Sequence, residues 1–337
     1  MPGRGQTLPR YCLDSSLLYY LFQRLVMAIP TLLGVTVLVF VAIRLVPGDS
    51  ITAMLGTESG LLTDAQRASL EVYFGLDKSP GAQYFSWIGN LFQGDLGYSV
   101  RLGQPVLSLL LNRFPVTLEL AVLSVVIAVS VGVPLGVSSA IYRNSIVDLL
   151  GRLFALIGLA APNFLVATLL IYVLSVYFGI LPNAGNYARF TEDPLKNLGQ
   201  MIFPALTLGL AFSASVMRTI RSAMLEVLTQ DYVRTARSKG LREKVVIGRH
   251  ALRNALIPVV TLTGIEISYL LGGTVIIEQI FALPGLGRLT LNAISQRDYA
   301  LIQGAALFIA CNVVLINLLV DLGYAAIDPR ISYADGN

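Results

Sequence analysis

Glu266 is the residue whose position is hardest to explain by packing alone. It stands about eleven residues inside the apolar run Ala255–Ile277, roughly 16 Å deep on a helix rising 1.5 Å per residue. An ionisable group at that depth is costly and faces a cavity, water or a partner. Two readings stay open: it meets the amino group or cation of a solute, or it is a protonated, hydrogen-bonded packing residue. Asn163 and Glu119 are further candidates for lining a path through apolar surroundings. Asn163 follows Pro162, where a kink would free a backbone carbonyl. Glu119 follows Pro115 and Thr117, which read as a helix start, so its charge also suits the positive end of the helix dipole.

A different chemistry is written in Asp231-Tyr232-Val233-Arg234-Thr235-Ala236-Arg237-Ser238-Lys239-Gly240-Leu241. Asp231 favours a helix N-terminus, and Gly240 can adopt the left-handed stop. On that helix Tyr232, Thr235, Ala236 and Lys239 fall on one face. An aromatic, two small residues and a cation suit close docking in another protein's groove. A basic, solvated loop is the alternative on spacing alone.

Catalysis has no such foothold. No nucleophile, base and orienting group can be placed together, so no catalytic residue is expected. One histidine, His250, and two separated cysteines, Cys12 and Cys311, argue neither a metal site nor a disulfide. The phosphate loop Gly-x-x-x-x-Gly-Lys-Ser/Thr is missing, so the chain is not expected to hydrolyse ATP. Leu270-Leu271-Gly272-Gly273 sits in an apolar span and reads as small residues permitting close helix packing.

The elements that must position these residues are membrane helices. Apolar residues make up 55% of the 337 positions and charged residues 13%, about half the usual charged share. Six runs are long enough to cross ~30 Å of hydrocarbon: 25–46, 116–140, 153–180, 197–217, 255–277 and 299–322. The third is interrupted by Ala160-Ala161-Pro162 and the fourth carries Pro204 near its start. Backbone groups in lipid must pair within their own segment, so these are helices, and the fold class expected is an all-α polytopic membrane protein. The first run lacks an Ala-x-Ala site behind it and is expected to stay as a span.

Charge fixes the expected orientation. With six spans, both termini share a side with loops 142–152 and 218–253. Those segments hold 15 Lys/Arg: three in the N-terminal tail, two and nine in the loops, one in the C-terminal tail. The three opposite loops hold eight although they are longer. Both termini and the Arg-rich loop are therefore expected in the cytoplasm. The division is a tail at 1–24, a first span at 25–46, an outer segment at 47–115, a core at 116–322 containing the loop 218–254, and a tail at 323–337. In the outer segment, Asp64–Phe74 and Gln83–Phe92 read as a hairpin of helices lying on the membrane's outer face.

The Asp231–Leu241 segment with its continuation His250-Ala251-Leu252-Arg253-Asn254-Ala255-Leu256-Ile257-Pro258 resembles the coupling motif of ATP-binding-cassette importer permeases. That motif runs Glu-Ala-Ala, then Gly, then an Ile-x-Leu-Pro end. The version here is similar to that of the dipeptide/oligopeptide (peptide/nickel) family, first-permease type. Ordered matches run along nearly the whole chain: Ile29-Pro30-Thr31-Leu32-Leu33-Gly34, Pro47-Gly48-Asp49, Phe74-Gly75-Leu76-Asp77-Lys78 and Gly94-Asp95-Leu96-Gly97. They continue with Phe281-Ala282-Leu283-Pro284-Gly285-Leu286-Gly287-Arg288, Arg297-Asp298-Tyr299, Asn317-Leu318-Leu319-Val320-Asp321 and Asp328-Pro329-Arg330. Asp231 stands where Glu is common, Ser238 where Ala is common, and Glu266 where relatives often carry a neutral amide.

The resemblance implies a bacterial inner-membrane permease forming half of a translocation pathway for di- or oligopeptides. It implies a second homologous permease, two cytoplasmic ATPases that bind ATP and magnesium, and an extracytoplasmic solute-binding protein. It implies ATPase coupling through Asp231, Tyr232, Thr235, Ala236, Lys239 and Gly240, by alternating access. No cofactor of its own and no nucleic-acid partner are implied; lipid surrounds it. Nickel complexes, glutathione or oligosaccharides are alternative cargoes. A secondary transporter or channel is the reading from another class, and it leaves the Asp231–Gly240 loop unexplained.

Overall fold

The computed structural model describes residues 11–45, 60, 62–74, 77–182 and 187–327. The matched segment Pro47-Gly48-Asp49, the pair Gly75-Leu76, the first ten residues and the tail from Asp328 onward lie outside them. Helix α1 (Tyr11–Leu45) leads to the outer helices α2 (Asp64–Phe74) and α3 (Pro80–Phe92). A short antiparallel pair, β1 (Tyr98–Ser99) with β2 (Gln104–Pro105), feeds α4 (Val106–Ile141). Then come α5 (Ile146–Ala160), α6 (Asn163–Phe178) and α7 (Pro194–Val227). The basic loop holds α8 (Asp231–Ser238) and α9 (Glu243–Ala255). Finally α10 (Ile257–Gly273), α11 (Val275–Ile280), α12 (Leu286–Ser295) and α13 (Tyr299–Ile327) close the chain.

Among the described residues four helices are long and apolar enough to span a membrane, and the count reaches six if the pairs α5–α6 and α9–α10 each serve as one span. One expectation about the runs needs correction. The second run does not start at Val116. Its helix begins ten residues earlier behind Pro105, and Pro115 is carried inside it. Glu119 is therefore well inside a helix, and the helix-start reading of its charge falls. The third run breaks where the kink was expected, at Pro162. Ala161 and Pro162 are extended, and α5 and α6 meet at 100°. Pro162 cannot donate an amide proton to a continuing helix, and it pushes Ala161 out of helical geometry.

The centre of the bundle is the α4–α7 pair. Lipid offers no hydrophobic drive between spans, so association depends on close backbone approach. Gly132 and Gly136 lie one turn apart on α4. A Cβ on either would strike α7, at Ser213 O and Val216 for the first and at Ile220 and Met217 O for the second. Gly209 on α7 answers from the other side, against Ile127 and Ser124 O. Leu120, Ala121, Met201 and Ala205 are buried on either side of this seam. The apolar faces of α1, α5 and α6 stay exposed, as lipid-facing or partner-facing surfaces of a membrane protein would.

Helix α3 docks on α1. Phe40 meets Tyr84 edge-on at 5.1 Å and stacks on Trp87 at 6.3 Å, while Thr36 and the Tyr84 hydroxyl share a hydrogen bond of 2.9 Å. Arg44 lies over the Phe40 ring and bonds to Gln83. At the opposite end of α1, Arg24 Nε pairs with Asp321 of α13 at 3.1 Å. The N-terminal part of α1 and the C-terminal part of α13 therefore share one side of the bundle.

Candidate functional site

The elbow between α5 and α6 opens a cavity of about 280 Å³. Gly158 and Asn163 line it from the elbow, Ser215 from α7, and Glu266 and Tyr269 from α10. The α5 side of the elbow sits tight on α7: a Cβ at Gly158 would meet that of Ala214. The fold thus brings Glu266 and Asn163, more than 100 positions apart in sequence, to one polar-rimmed hollow walled by Leu208, Phe212 and Leu270. Among the described residues no arginine, lysine or histidine pairs with Glu266.

Glu119 is elsewhere. Its Oε2 accepts from the Tyr187 hydroxyl at 3.1 Å and from Asn197 Nδ2 at 3.2 Å. Asn197 Nδ2 also reaches Ala188 O, and Gln200 Oε1 accepts from Ala188 N–H. Burial first, then the Glu119 charge, pushes the Tyr187 hydroxyl above its ordinary pKa, so it stays a donor. This carboxylate pins the loop before α7 onto α4, and it does not line the elbow cavity.

Helix α8 of the basic loop forms where the sequence places it. Gln230 precedes it, Asp231 opens it, and Gly240 at φ 74° comes just after its end. Its faces differ from the expected ones at one position. Ala236 does not look outward with Tyr232, Thr235 and Lys239. It is buried with Val233 against Val246, with Val227 and Leu228 at the edge. The reason is composition: Val233 and Ala236 are the apolar residues three apart, and the chain's own valine claims them. Tyr232, Thr235, Lys239 and Gly240 remain exposed. Two clamps fix α8 to α9. Asn254 Nδ2 donates to the Tyr232 hydroxyl at 2.7 Å, and Arg237 Nη2 donates to Glu243 Oε1 at 2.7 Å. The guanidinium holds the Glu243 carboxyl below its ordinary pKa. Behind these clamps α9 carries a π-helical turn, Val246–Ala251, and meets α10 at 46°.

Two buried acids were not singled out by spacing. Asp148, fully buried, is held by Arg221 through Nε at 2.7 Å and Nη2 at 3.0 Å, with Ser139 Oγ at 2.5 Å and Asn144 N–H at 3.0 Å. It ties α4, α5 and α7 together just before α7 runs into the docking loop. The available signal was Ser145 three residues before an acid at a helix start. Glu278, also fully buried, accepts from Thr117 Oγ1 at 2.7 Å, Thr274 Oγ1 at 2.9 Å and Arg288 N–H at 2.9 Å. It caps α12, and the Leu286 N–H completes the knot by donating to Thr117 Oγ1 at 2.8 Å. Gly285 is required there because a Cβ would collide with the Glu278 carboxylate. The Pro284–Gly287 turn is thus a tight structural connection.

Residues 132–333 match the family described as the binding-protein-dependent transport system inner membrane component, and residues 17–121 match the N-terminal region of such membrane components. The chain belongs to this family. As an inner membrane component it is a multi-pass transporter subunit. It is 42% identical to the oligopeptide transport system permease protein AppB of Bacillus subtilis, over 93% of this chain and 99% of the relative. It is 39% identical to the dipeptide transport system permease protein DppB of Escherichia coli, over 94% and 99%. In fold it is similar to an inward-facing structure of the MetNI methionine ABC transporter, with a TM-score of 0.50 at 18% identity over 65% of this chain and 96% of that one.

Proposed function

We propose that this component is the permease subunit of an ATP-binding-cassette importer for di- or oligopeptides. It forms half of the translocation pathway beside a second permease. Two cytoplasmic ATPases dock on its α8 and that of its partner, and an external solute-binding protein delivers the peptide. Both termini and the docking loop lie in the cytoplasm. The observation that carries this reading is α8 itself, a short helix exposed on one face, buried through Val233 and Ala236 against Val246 on the other, and tied to α9 by two clamps. Such a helix can transmit a push without melting. ATP binding closes the ATPases, α8 moves with them, and the bundle exchanges inward- and outward-facing arrangements. The energetic requirement is that the ATPases bind one arrangement better than the other.

Relatives named as oligopeptide and dipeptide permeases, aligned from end to end, support peptides as the cargo. The test of the assembly is affinity purification of the tagged chain from its own membranes in mild detergent. Two ATPases and a second permease recovered in stoichiometric yield bear it out. A chain that purifies alone and still transports would refute it.

A further inference from the structure

Among the described residues, the acid in the elbow cavity has no basic partner, whereas the carboxylates of Asp148, Glu278 and Glu119 are engaged. Asp148, Glu278 and Glu119 each receive two or more donors from the chain itself. Glu266 receives none from the described residues, although it sits mid-span and half-buried. A packing carboxyl in this bundle would be expected to find a hydroxyl, as the other three do. The side chains that share its cavity are an amide, Asn163, and two hydroxyls, Ser215 and Tyr269. All can turn an oxygen toward a bound cation, and the apolar walls strengthen any charge pairing made there.

From this geometry we propose that the elbow cavity is a transit subsite for a primary ammonium group of the peptide, with Glu266 as its counter-ion. The inference rests on the peptide-permease reading and deepens it. At about 280 Å³ the cavity lies at the lower edge of small-molecule sites, ~300–1,000 Å³. It takes one charged end of a peptide and leaves the rest of the chain in the pathway. The subsite lies at the 100° bend between α5 and α6 and is built from α5, α6, α7 and α10. A rearrangement of the elbow against α10 would change the distance between Asn163 and Glu266. The ammonium would then be held in one arrangement and released in the other.

The test uses the complete transporter in proteoliposomes, with the same saturating binding protein for wild type, Glu266→Gln and Glu266→Asp. Three probes separate the sources of the ammonium: trialanine carries it at the N-terminus, N-acetyl-Ala-Lys-Ala on a side chain, and N-acetyl-trialanine not at all. Glu266→Gln keeps the shape and removes the charge. We expect it to slow uptake of at least one ammonium-bearing probe about tenfold, as when a charge-assisted hydrogen bond becomes neutral, and to leave N-acetyl-trialanine within twofold. Glu266→Asp, which keeps the charge, should retain at least a third of the wild-type rate. Complex yield should stay unchanged in both. Loss confined to trialanine assigns the N-terminus; loss confined to the lysyl probe assigns the side chain. Equal rates for all three probes, or an equal loss for all three, overturns the subsite while leaving the permease reading intact. A wild-type complex that imports no peptide overturns both.

Discussion

Replacing Asp148 by Leu tests whether the end of the bundle that carries the basic loop is held by a single ionic lock. The carboxylate is fully buried and accepts two bonds from Arg221, one from Ser139 and one from the Asn144 backbone. Arg152, at 3.7 Å with half its side chain exposed, adds under ~1 kcal/mol. Removing Asp148 strands Arg221, whose side chain is only 21% exposed. An uncompensated buried charge costs about 3–5 kcal/mol. The guanidinium can stretch toward the membrane edge, which places the expected loss for Asp148→Leu near ~3 kcal/mol. Arg221→Leu should cost at least as much, because the carboxylate has no route to water. The double variant removes both charges together and should lose only about 1–2 kcal/mol, so the pair couples by several kcal/mol. The assay is a double-mutant cycle on unfolding of the purified complex in detergent. Single losses that simply add, within ~0.5 kcal/mol, would refute the lock. The consequence reaches function, because α7 runs directly from Arg221 to the docking loop.

Three further outcomes rest on the same geometry. Thr235→Trp, on the exposed face of α8, should abolish ATPase copurification without changing the stability of the chain, whereas Ala236→Trp should lower both by overpacking the Val233–Val246 contact; pull-down yield and thermal unfolding separate the two. Gly285→Ala should destabilise the outer knot by about 1–3 kcal/mol, read by thermal unfolding, since its Cβ meets a buried carboxylate that cannot move without losing three donors. The Arg237–Glu243 clamp depresses the Glu243 pKa, so its support for α8 is present above the ordinary glutamate range and is lost as pH falls through the lowered value; proteolysis at α8 should accelerate only on acidification, and Glu243→Gln should remove that dependence.

The parts of the fold legible in the sequence were those governed by local rules. The spans announced themselves by length and hydropathy, and α8 by an acid at one end and a glycine at the other. What escaped depended on contacts between distant segments. Periodicity put Ala236 with Tyr232, but Val246, ten residues on, decides which face turns inward. Pro115 reads locally as a helix start, and only the strand pair before it shows that the helix begins at Val106. Pro162 announced a bend without its size. Asp148 and Glu278 look like ordinary acids until Arg221 and Thr117 close on them from 73 and 161 positions away. Glu266 was visible because an unneutralised acid in an apolar run is conspicuous by itself; the residues sharing its cavity were not.

ATP-driven peptide uptake is the decisive measurement. Proteoliposomes would contain this chain, its partner permease and both ATPases, with loaded binding protein outside and ATP inside. An importer permease coupled through α8 predicts accumulation of labelled peptide against its gradient. That uptake needs ATP and binding protein, and it is lost with Thr235→Trp although the chain remains folded. Peptide uptake that proceeds without ATP, driven by an ion gradient or down its own gradient, would contradict it.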